Sequence, residues 1–239
     1  MTIPVLIGIL IFAHGIETIL GFGSTVIAIA LGGLVAPIGT LVQAFVILGF
    51  GQASWILVRE WRHINWPRLW REVFPACISG TLLGFGLHAY VSERALRIGV
   101  GTVVTLLALA QLYALIRGKR SGKLSKPVGL GFLVAGGIMH GLFATGGPLI
   151  IYYAQRSLGA PAAIRASLAT LWIVLNTSVM INFYRQGLLT EASFDMAIYL
   201  IPGLLGGLVA GSLIKTTERG YQLLAYCVLA FCGLVLALG

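Results

Sequence analysis

Ionisable side chains inside long apolar runs are the first candidates for chemistry in this sequence. His14 and Glu17 are three residues apart, so on a helix they would share one face. His140 lies in a second apolar run. An ionisable group at membrane depth costs a few kcal/mol and by default marks an ion or proton pathway. We therefore predict His14, Glu17 and His140 as proton-coupling candidates. The alternative is that Glu17 stays protonated and only bonds a neighbouring helix.

Two glycine-rich breaks interrupt the same apolar runs. The first reads LGFGST at 20–25 and the second ATGGPL at 144–149. Ser24 and Thr25 after the first break, and Pro148 in the second, are typical of the first residues of a helix. A helix start presents free N–H groups and the positive end of the dipole, and glycine lets a ligand approach the backbone. Two facing helix starts would make an anion site without a buried Lys or Arg.

Amide side chains extend this predicted substrate site. Gln52 and Asn176 lie in the second apolar segment of each half, where they could hydrogen-bond an oxyanion or hold helices together. Arg165 could offer a cation at a cytoplasmic mouth or extend towards lipid headgroups. The predicted substrate-binding residues are Gly21, Gly23, Ser24, Thr25, Gln52, Thr145, Gly146, Gly147 and Asn176.

Motifs of enzymes do not occur in the sequence. It contains no HExxH, GxSxG or Walker A motif and no metal-ligand spacing, so no catalytic residue, metal or cofactor is expected. The three cysteines, Cys77, Cys227 and Cys232, form no CxxC pair and are expected to fill apolar space. No Lys or Arg precedes Arg59, so the charged start of a signal peptide is not expected.

The composition indicates whether these residues are surrounded by water or by lipid. Of the 239 residues, 58% are hydrophobic and only 10% are charged, and the mean hydropathy is +0.97. A soluble domain carries about 25% charged residues. Apolar runs of about twenty residues recur along the chain, which is the length of membrane-spanning helices. The predicted fold class is an all-α polytopic membrane protein.

Eight apolar segments are predicted, and two of them are too long for one straight crossing. Segments 4–35 and 128–158 hold about 31 residues each, or about 47 Å of helix, against a hydrocarbon core of about 30 Å. Because both contain a glycine break, we predict that each folds back or kinks strongly. The other segments are 38–58, 73–91, 95–116, 161–184, 194–214 and 220–238.

The two halves of the chain resemble each other. FAHGIETILGFGST in the first half parallels GIMHGLFATGGPLI in the second, and Pro37 and Gln52 recur as Pro161 and Asn176 at one offset. We predict two homologous four-segment repeats, 1–117 and 128–239, joined by a basic linker, 118–127. Glycines at GxxxG-like spacing are predicted to serve helix packing: Gly80, Gly84, Gly207 and Gly211.

The positions of the basic residues predict how the protein is oriented in the membrane. They concentrate in the connections 59–72 and 117–126, which are typical of cytoplasmic loops. If both long segments fold back, the repeats are inverted and only Arg94, Arg97 and Arg185 lie on the opposite side. If the segments cross once, the basic residues divide more evenly. We therefore predict inverted repeats with both termini outside. The net charge of +9 comes with no nucleic-acid-binding pattern, so no nucleic-acid partner is expected.

The motifs GFGSTVIAIAL and HGLFATGGPLIIYYA resemble the TauE/SafE family of sulfite and organosulfur-anion exporters. The likeness extends through the whole chain. It implies a transporter in the cell membrane, the inner membrane of a bacterium, that exports sulfite or sulfonates such as sulfoacetate. Alternating access with proton or ion coupling is expected. A passive anion channel and an importer of a sulfur anion remain alternatives. The partners are the substrate and the lipid bilayer, and a homo-oligomer is left open.

Overall fold

The computed structural model describes residues 2–87, 90, 92–118, 124–214 and 217–238, and within these ranges the regular structure is entirely helical. The basic linker 118–127 and the side chains of Arg97, Lys215 and Cys232 lie wholly or partly outside this description. The α-helices are α1 (Thr2–Leu20), α2 (Ser24–Gly32), α3 (Ile38–Glu60), α4 (Trp66–Arg68), α5 (Phe74–Leu87), α6 (Glu93–Ile116), α7 (Lys126–Phe143), α8 (Gly147–Ser157), α9 (Pro161–Arg185), α10 (Glu191–Leu213) and α11 (Glu218–Leu238).

Within the described residues, five helical stretches are long and apolar enough to cross a membrane. They are Ile3–Leu20, Ile38–His63, Lys126–Phe143, Pro161–Arg185 and Glu191–Leu213. Two shorter apolar helices, Gly101–Ile116 and Tyr226–Val235, accompany them. The prediction of an all-α polytopic membrane protein is confirmed.

The first long apolar segment folds back at its glycine break. Gly21 and Gly23 have φ angles of 80° and 110°, a left-handed conformation that glycine adopts without a Cβ penalty. After this reversal α2 returns along α1, because a Cβ built at Gly32 would lie 3.3 Å from Leu6 Cδ2. Of the two predicted outcomes, fold-back or kink, the structure has the fold-back.

The second long segment reverses in the same way. Ala144 ends α7 with a φ of 56°, and its N–H donates to His140 O at 2.7 Å. Helix α8 then returns along α7, with the Phe132 and Tyr152 ring centroids 4.5 Å apart. Each long segment is therefore a full helix followed by a short half-helix.

Four helix pairs organise the bundle. Helix α1 packs parallel to α10, and α5 packs parallel to α7. Helix α3 runs antiparallel to α9, since Glu60 at its end bonds Arg165 near the start of α9. Helix α6 runs antiparallel to α11, with Gly101 against Gly233. The first helix of each half therefore packs on α5 or α10 of the other half, and α3 and α9 form the centre.

Glycine stripes allow the parallel pairs to approach closely. A Cβ at Gly207 would lie 2.9 Å from Gly15 N, and one at Gly211 would lie 2.7 Å from Gly15 O. Gly80 and Gly84 face the backbone of α7 in the same manner. The predicted packing role of these glycines is confirmed.

The connection after α3 is folded onto the start of α9. Asn65 caps α4 by accepting from the Arg68 N–H, while its own N–H donates to Ser167 Oγ at 3.0 Å. Arg165 is held by an ion pair with Glu60: its Nη2 donates to Oε1 at 2.6 Å, and its Nε donates to both carboxylate oxygens at 3.1 Å. The ion pair shows that Arg165 is not directed at lipid headgroups; its predicted role as a cation at a cytoplasmic mouth stays a prediction.

Candidate functional site

The two helix reversals meet at one pocket in the middle of the bundle. The first reversal contributes Phe22, Gly23, Ser24 and Thr25, and the second contributes Ala144, Thr145 and Gly147. Its walls are Glu17 of α1, His140 of α7, Gly49 of α3, and Trp172 and Asn176 of α9. Gly49 lies near the midpoint of α3, and a Cβ there would lie 3.1 Å from Asn176 Nδ2. The pocket therefore occupies the level at which the two central helices cross.

The space in the pocket suits a small group. About 30 Å³ is open to the centres of water-sized molecules. One water needs about 10–15 Å³ by this measure. The pocket as it stands therefore holds two or three waters or an ion of a few heavy atoms.

The start of α2 already holds an internal acid. The Ser24 N–H donates to Glu17 Oε2 at 3.0 Å, and the Ser24 hydroxyl donates to the same oxygen. Gly23 precedes the helix in a left-handed conformation without a side-chain cap of its own. These two hydrogen bonds satisfy a free N–H at the start of α2 and tie α2 to α1.

The start of α8 has no such partner. No side chain caps this helix, which begins at Gly147 with Pro148 next in sequence. The Thr145 hydroxyl is 3% exposed and has no hydrogen-bond partner. A buried hydroxyl without a partner costs about 1–3 kcal/mol. The second reversal is therefore ready to receive a hydrogen-bonding ligand.

His140 is the second side chain without a partner in the pocket. It is 2% exposed, and neither ring nitrogen has a hydrogen-bond partner, although the Asn176 amide lies beside it. Its ring stacks on Trp172, with the centroids 5.8 Å apart. Trp172 in turn donates from Nε1 to Gly21 O at 2.9 Å, which ties the first reversal to α9.

His14 and Gln52 lie outside the pocket, although both are fully buried. His14 Nδ1 and Gln52 Oε1 are 2.5 Å apart, and Gln52 Nε2 donates to His14 O at 3.0 Å. The His14 ring stacks on Phe45 at 5.6 Å. Gln52 thus joins α3 to α1, which is the second of its two predicted roles. His14 and Glu17 share a helix face but bond to different partners.

Two predicted glycines shape the reversals without lining the pocket. The Gly21 carbonyl accepts from Trp172, and a Cβ at Gly21 would lie 3.2 Å from Arg165 Cα. A Cβ at Gly146 would lie 3.0 Å from His140 Cβ and would also meet the carbonyl of Gly136. The predicted residues that do line the pocket are Glu17, Gly23, Ser24, Thr25, His140, Thr145, Gly147 and Asn176.

Five lining residues were not predicted as site residues from the sequence, and one of them, Val26, directly follows the predicted Thr25 in α2. Phe22 and Ala144 lie inside the two break motifs, so their position in the motif was the available signal. Gly49 and Trp172 come from the middle of long helices and reach the pocket only through tertiary packing. No local pattern distinguishes them from other glycines and aromatic residues of membrane helices.

Comparison with known proteins agrees with this architecture. The family profile described as "Sulfite exporter TauE/SafE" matches residues 6–236. A protein of Cupriavidus necator strain H16, named "Probable sulfite/organosulfonate exporter TauE", is 27% identical over 206 residues, which cover 80% of this chain and 77% of that protein. No solved structure matches the chain. Since the profile covers almost the whole sequence, the chain belongs to the TauE/SafE sulfite exporter family of membrane transporters.

Proposed function

We propose that this chain is a secondary transporter that carries a small sulfur oxyanion, such as sulfite or a small sulfonate, through the pocket between the two helix reversals. The observation that carries the proposal is the second reversal, where an uncapped start of α8 lies beside two buried polar side chains without partners, His140 and Thr145. A polar cradle of this kind inside a membrane bundle suits an anion.

The chemistry of the cradle matches an oxyanion. Such a group offers several acceptor oxygens and no apolar surface, and the pocket offers donors in several directions. The start of α8, the Thr145 hydroxyl, the His140 ring and the Asn176 amide supply these donors. Family membership and the name of the Cupriavidus protein support an oxyanion whose central atom is sulfur.

The helix pairing supports alternating access between two inverted halves. The pairs α1–α10 and α5–α7 are parallel, and α3–α9 and α6–α11 are antiparallel, as a two-fold axis in the membrane plane would require. Beyond the pocket, one end is bridged by Glu60 and Arg165 and the other by Gln43 and Ser193. Rocking of one half against the other would release these two bridges in turn.

The orientation proposed is the one with the basic connections 59–72 and 117–126 in the cytoplasm and both termini outside. It follows from the positive-inside rule applied to the fold-back helices. Alkaline phosphatase fused after residue 239 should be active, and a fluorescent protein that folds only in the cytoplasm should stay dark there. The reverse pattern would contradict the orientation.

Transport in proteoliposomes tests the function. The wild-type protein should accumulate radiolabelled sulfite against its gradient, and a protonophore should abolish the accumulation if protons are the coupling ion. Glu17 and His140 line the pocket and are the proposed proton carriers, with His14 one turn away on α1. Downhill flux without accumulation under any imposed ion gradient would favour the passive channel.

Thr145→Val is the sharpest variant for the site, because it removes the hydroxyl and keeps the side-chain shape. We expect sulfite affinity to fall at least tenfold, or about 1.4 kcal/mol. Thr177→Val is the matched control, since Thr177 lies exposed on α9 and bonds only its own helix at Ile173 O. Equal sulfite affinity and flux in Thr145→Val and the wild type would remove the proposed site.

A further inference from the structure

We infer that the Phe22 side chain sets the upper size of the transported sulfur oxyanion, because it closes the pocket towards a second, apolar cavity. This inference rests on the proposed function and narrows its substrate class to oxyanions that carry at most a very short organic group. The observation that carries it is the position of Phe22: among the described residues, it alone lines both spaces.

The second cavity lies between the two reversals and the α6–α11 helix pair. About 10 Å³ of it is open to the centres of water-sized molecules, which is the room of one water. Gln111 and Tyr226 are its polar lining residues, and the Tyr226 hydroxyl accepts from Gln155 Nε2 at 2.7 Å. The cavity therefore suits a hydrocarbon group better than an anion. Its apolar lining is formed by Val104, Leu107 and Ala108 of α6, Pro148 and Ile151 of α8, and Leu229 of α11.

The boundary between the two spaces runs along Phe22 and the first residues of α8. Gly147 lines the pocket and Pro148, the next residue, lines the second cavity. Phe22 packs against this step, because a Cβ built at Gly147 would lie 3.5 Å from Phe22 Cβ and 3.6 Å from Phe22 Cδ2. Removal of the Phe22 ring would therefore join the two spaces.

Hydrogen bonds hold the backbone on both sides of Phe22. The Gly21 carbonyl accepts from Trp172 Nε1 at 2.9 Å, and the Ser24 N–H donates to Glu17 Oε2 at 3.0 Å. The Phe22 side chain itself is only 2% exposed. Because packed interiors leave little room for a ring of this size to move, the Phe22 ring stands as a fixed wall of the pocket.

Sulfonates that differ only in their organic group meet this wall differently. Sulfite and methanesulfonate consist of a few heavy atoms and match the space of the pocket. 1-Butanesulfonate has the same head and the same charge but three further methylene groups, for which the pocket has no space. Without the Phe22 ring, those methylene groups would lie in the second cavity, where their burial against apolar side chains is favourable.

Isothermal titration calorimetry of the purified full-length protein with methanesulfonate and 1-butanesulfonate tests the wall. The wild type should bind methanesulfonate at least tenfold more tightly, or about 1.4 kcal/mol. Phe22→Ala should reduce this preference at least tenfold by tightening 1-butanesulfonate. Phe74→Ala is the matched control, since it removes another buried ring, from α5, that lines neither space, and it should keep the wild-type preference.

A second substitution separates size selection from a general loosening of the bundle. Ala108 is 3% exposed and lies on the α6 wall of the second cavity. Ala108→Leu added to Phe22→Ala fills the second cavity again, so it should restore the preference for methanesulfonate. Unchanged binding of 1-butanesulfonate in this double variant would place the chain elsewhere and contradict the inference.

Equal binding of the two sulfonates by the wild type would overturn the inference, and so would a folded Phe22→Ala protein that still rejects 1-butanesulfonate. If Phe22→Ala does not fold, Phe22→Leu, with an apolar side chain of intermediate size, should shift the preference several-fold in the same direction, and no shift would overturn the inference. These results leave the proposed function in place. No binding of sulfite or of either sulfonate by the wild type, together with wild-type flux in Thr145→Val, removes the proposed site as well.

Discussion

Glu17 and His140 occupy the long helix of each hairpin close to the reversal, yet their surroundings differ. Glu17 has two donors from Ser24, while His140 has none and rests on the Trp172 ring. The sequence already indicated this difference, because His140 recurs in the second half without an acid beside it. The backbone differs too: the first reversal uses Gly21 and Gly23 at positive φ, whereas the second uses Ala144. Hydrogen bonding and backbone conformation are therefore distributed unequally over one shared pocket.

Gly23→Ala tests the backbone of the first reversal. Space is available, because the nearest atom to a Cβ there is Ile16 Cγ2 at 4.0 Å, so the cost comes from the φ of 110°. We expect the free energy of unfolding to fall by about 1–2 kcal/mol and anion affinity to fall with it. Titration with SDS in mixed micelles measures the stability. Gly8→Ala, in open space on α1, should be neutral or slightly stabilising, and equal stability of both variants would contradict the assignment.

Helices in this protein are positioned by close backbone approach as much as by apolar side chains. In lipid, association of helices gains little from hydrophobicity, so small residues at the interface contribute by allowing van der Waals contact. The α1–α10 and α5–α7 pairs both use glycine stripes in this way. Because α1 and α7 also carry Glu17 and His140, the stripes fix the depth of the two ionisable groups in the bundle.

Gly207→Ala should separate α1 from α10. A Cβ there would lie 2.9 Å from both Gly15 N and Ile11 O, which are backbone atoms that cannot turn aside. Overpacking of this kind costs about 1–3 kcal/mol. Gly86→Ala, where a Cβ meets open space on α5, is the matched control. The same SDS titration should show a loss for Gly207→Ala only, and an equal effect of both substitutions would contradict close packing of the pair.

The two hairpins, α1–α2 and α7–α8, lie around the central helices α3 and α9. Glu60 and Arg165 bridge α3 to α9 at one end of the bundle, and Gln43 and Ser193 bridge α3 to α10 at the other, so the pocket lies between two closures. The Glu60–Arg165 pair is partly exposed, with about a quarter of each side chain accessible, so solvent screens it. Its contribution to stability is therefore about 0–1 kcal/mol, and its effect on which end opens is expected to be larger than its effect on folding.

Glu60→Gln is predicted to favour opening at the basic side. Ser167 lies buried behind this bridge, so Ser167→Cys supplies a reporter thiol once the three native cysteines are changed to alanine. A membrane-impermeant thiol reagent applied at the basic side should then label the introduced thiol several-fold faster in Glu60→Gln. Glu191→Gln, at the other end of the bundle, should leave the rate unchanged. No acceleration in Glu60→Gln would show that the pair does not hold this end closed.

Local patterns in the sequence were sufficient to predict the helices, the two breaks and the glycine stripes, because each of these follows from composition or spacing over a few residues. They also indicated which residues lie at the reversals, such as Ser24 and Thr145. They could not decide between the two roles of Gln52, nor find Trp172, because both depend on which helices become neighbours. The ion pair of Arg165 with Glu60, 105 residues earlier, depends on the same tertiary pairing.

Trp172 gives the pocket an optical signal of its own. The protein has five tryptophans, and Trp55, Trp61, Trp66 and Trp70 are all at least 45% exposed and lie near the basic connection. Trp172 alone is buried, at 7% exposure, with its indole against His140 and its N–H on the Gly21 carbonyl. A ligand that enters the pocket changes the surroundings of this one buried indole, so the tryptophan emission of the unlabelled protein is expected to report its binding.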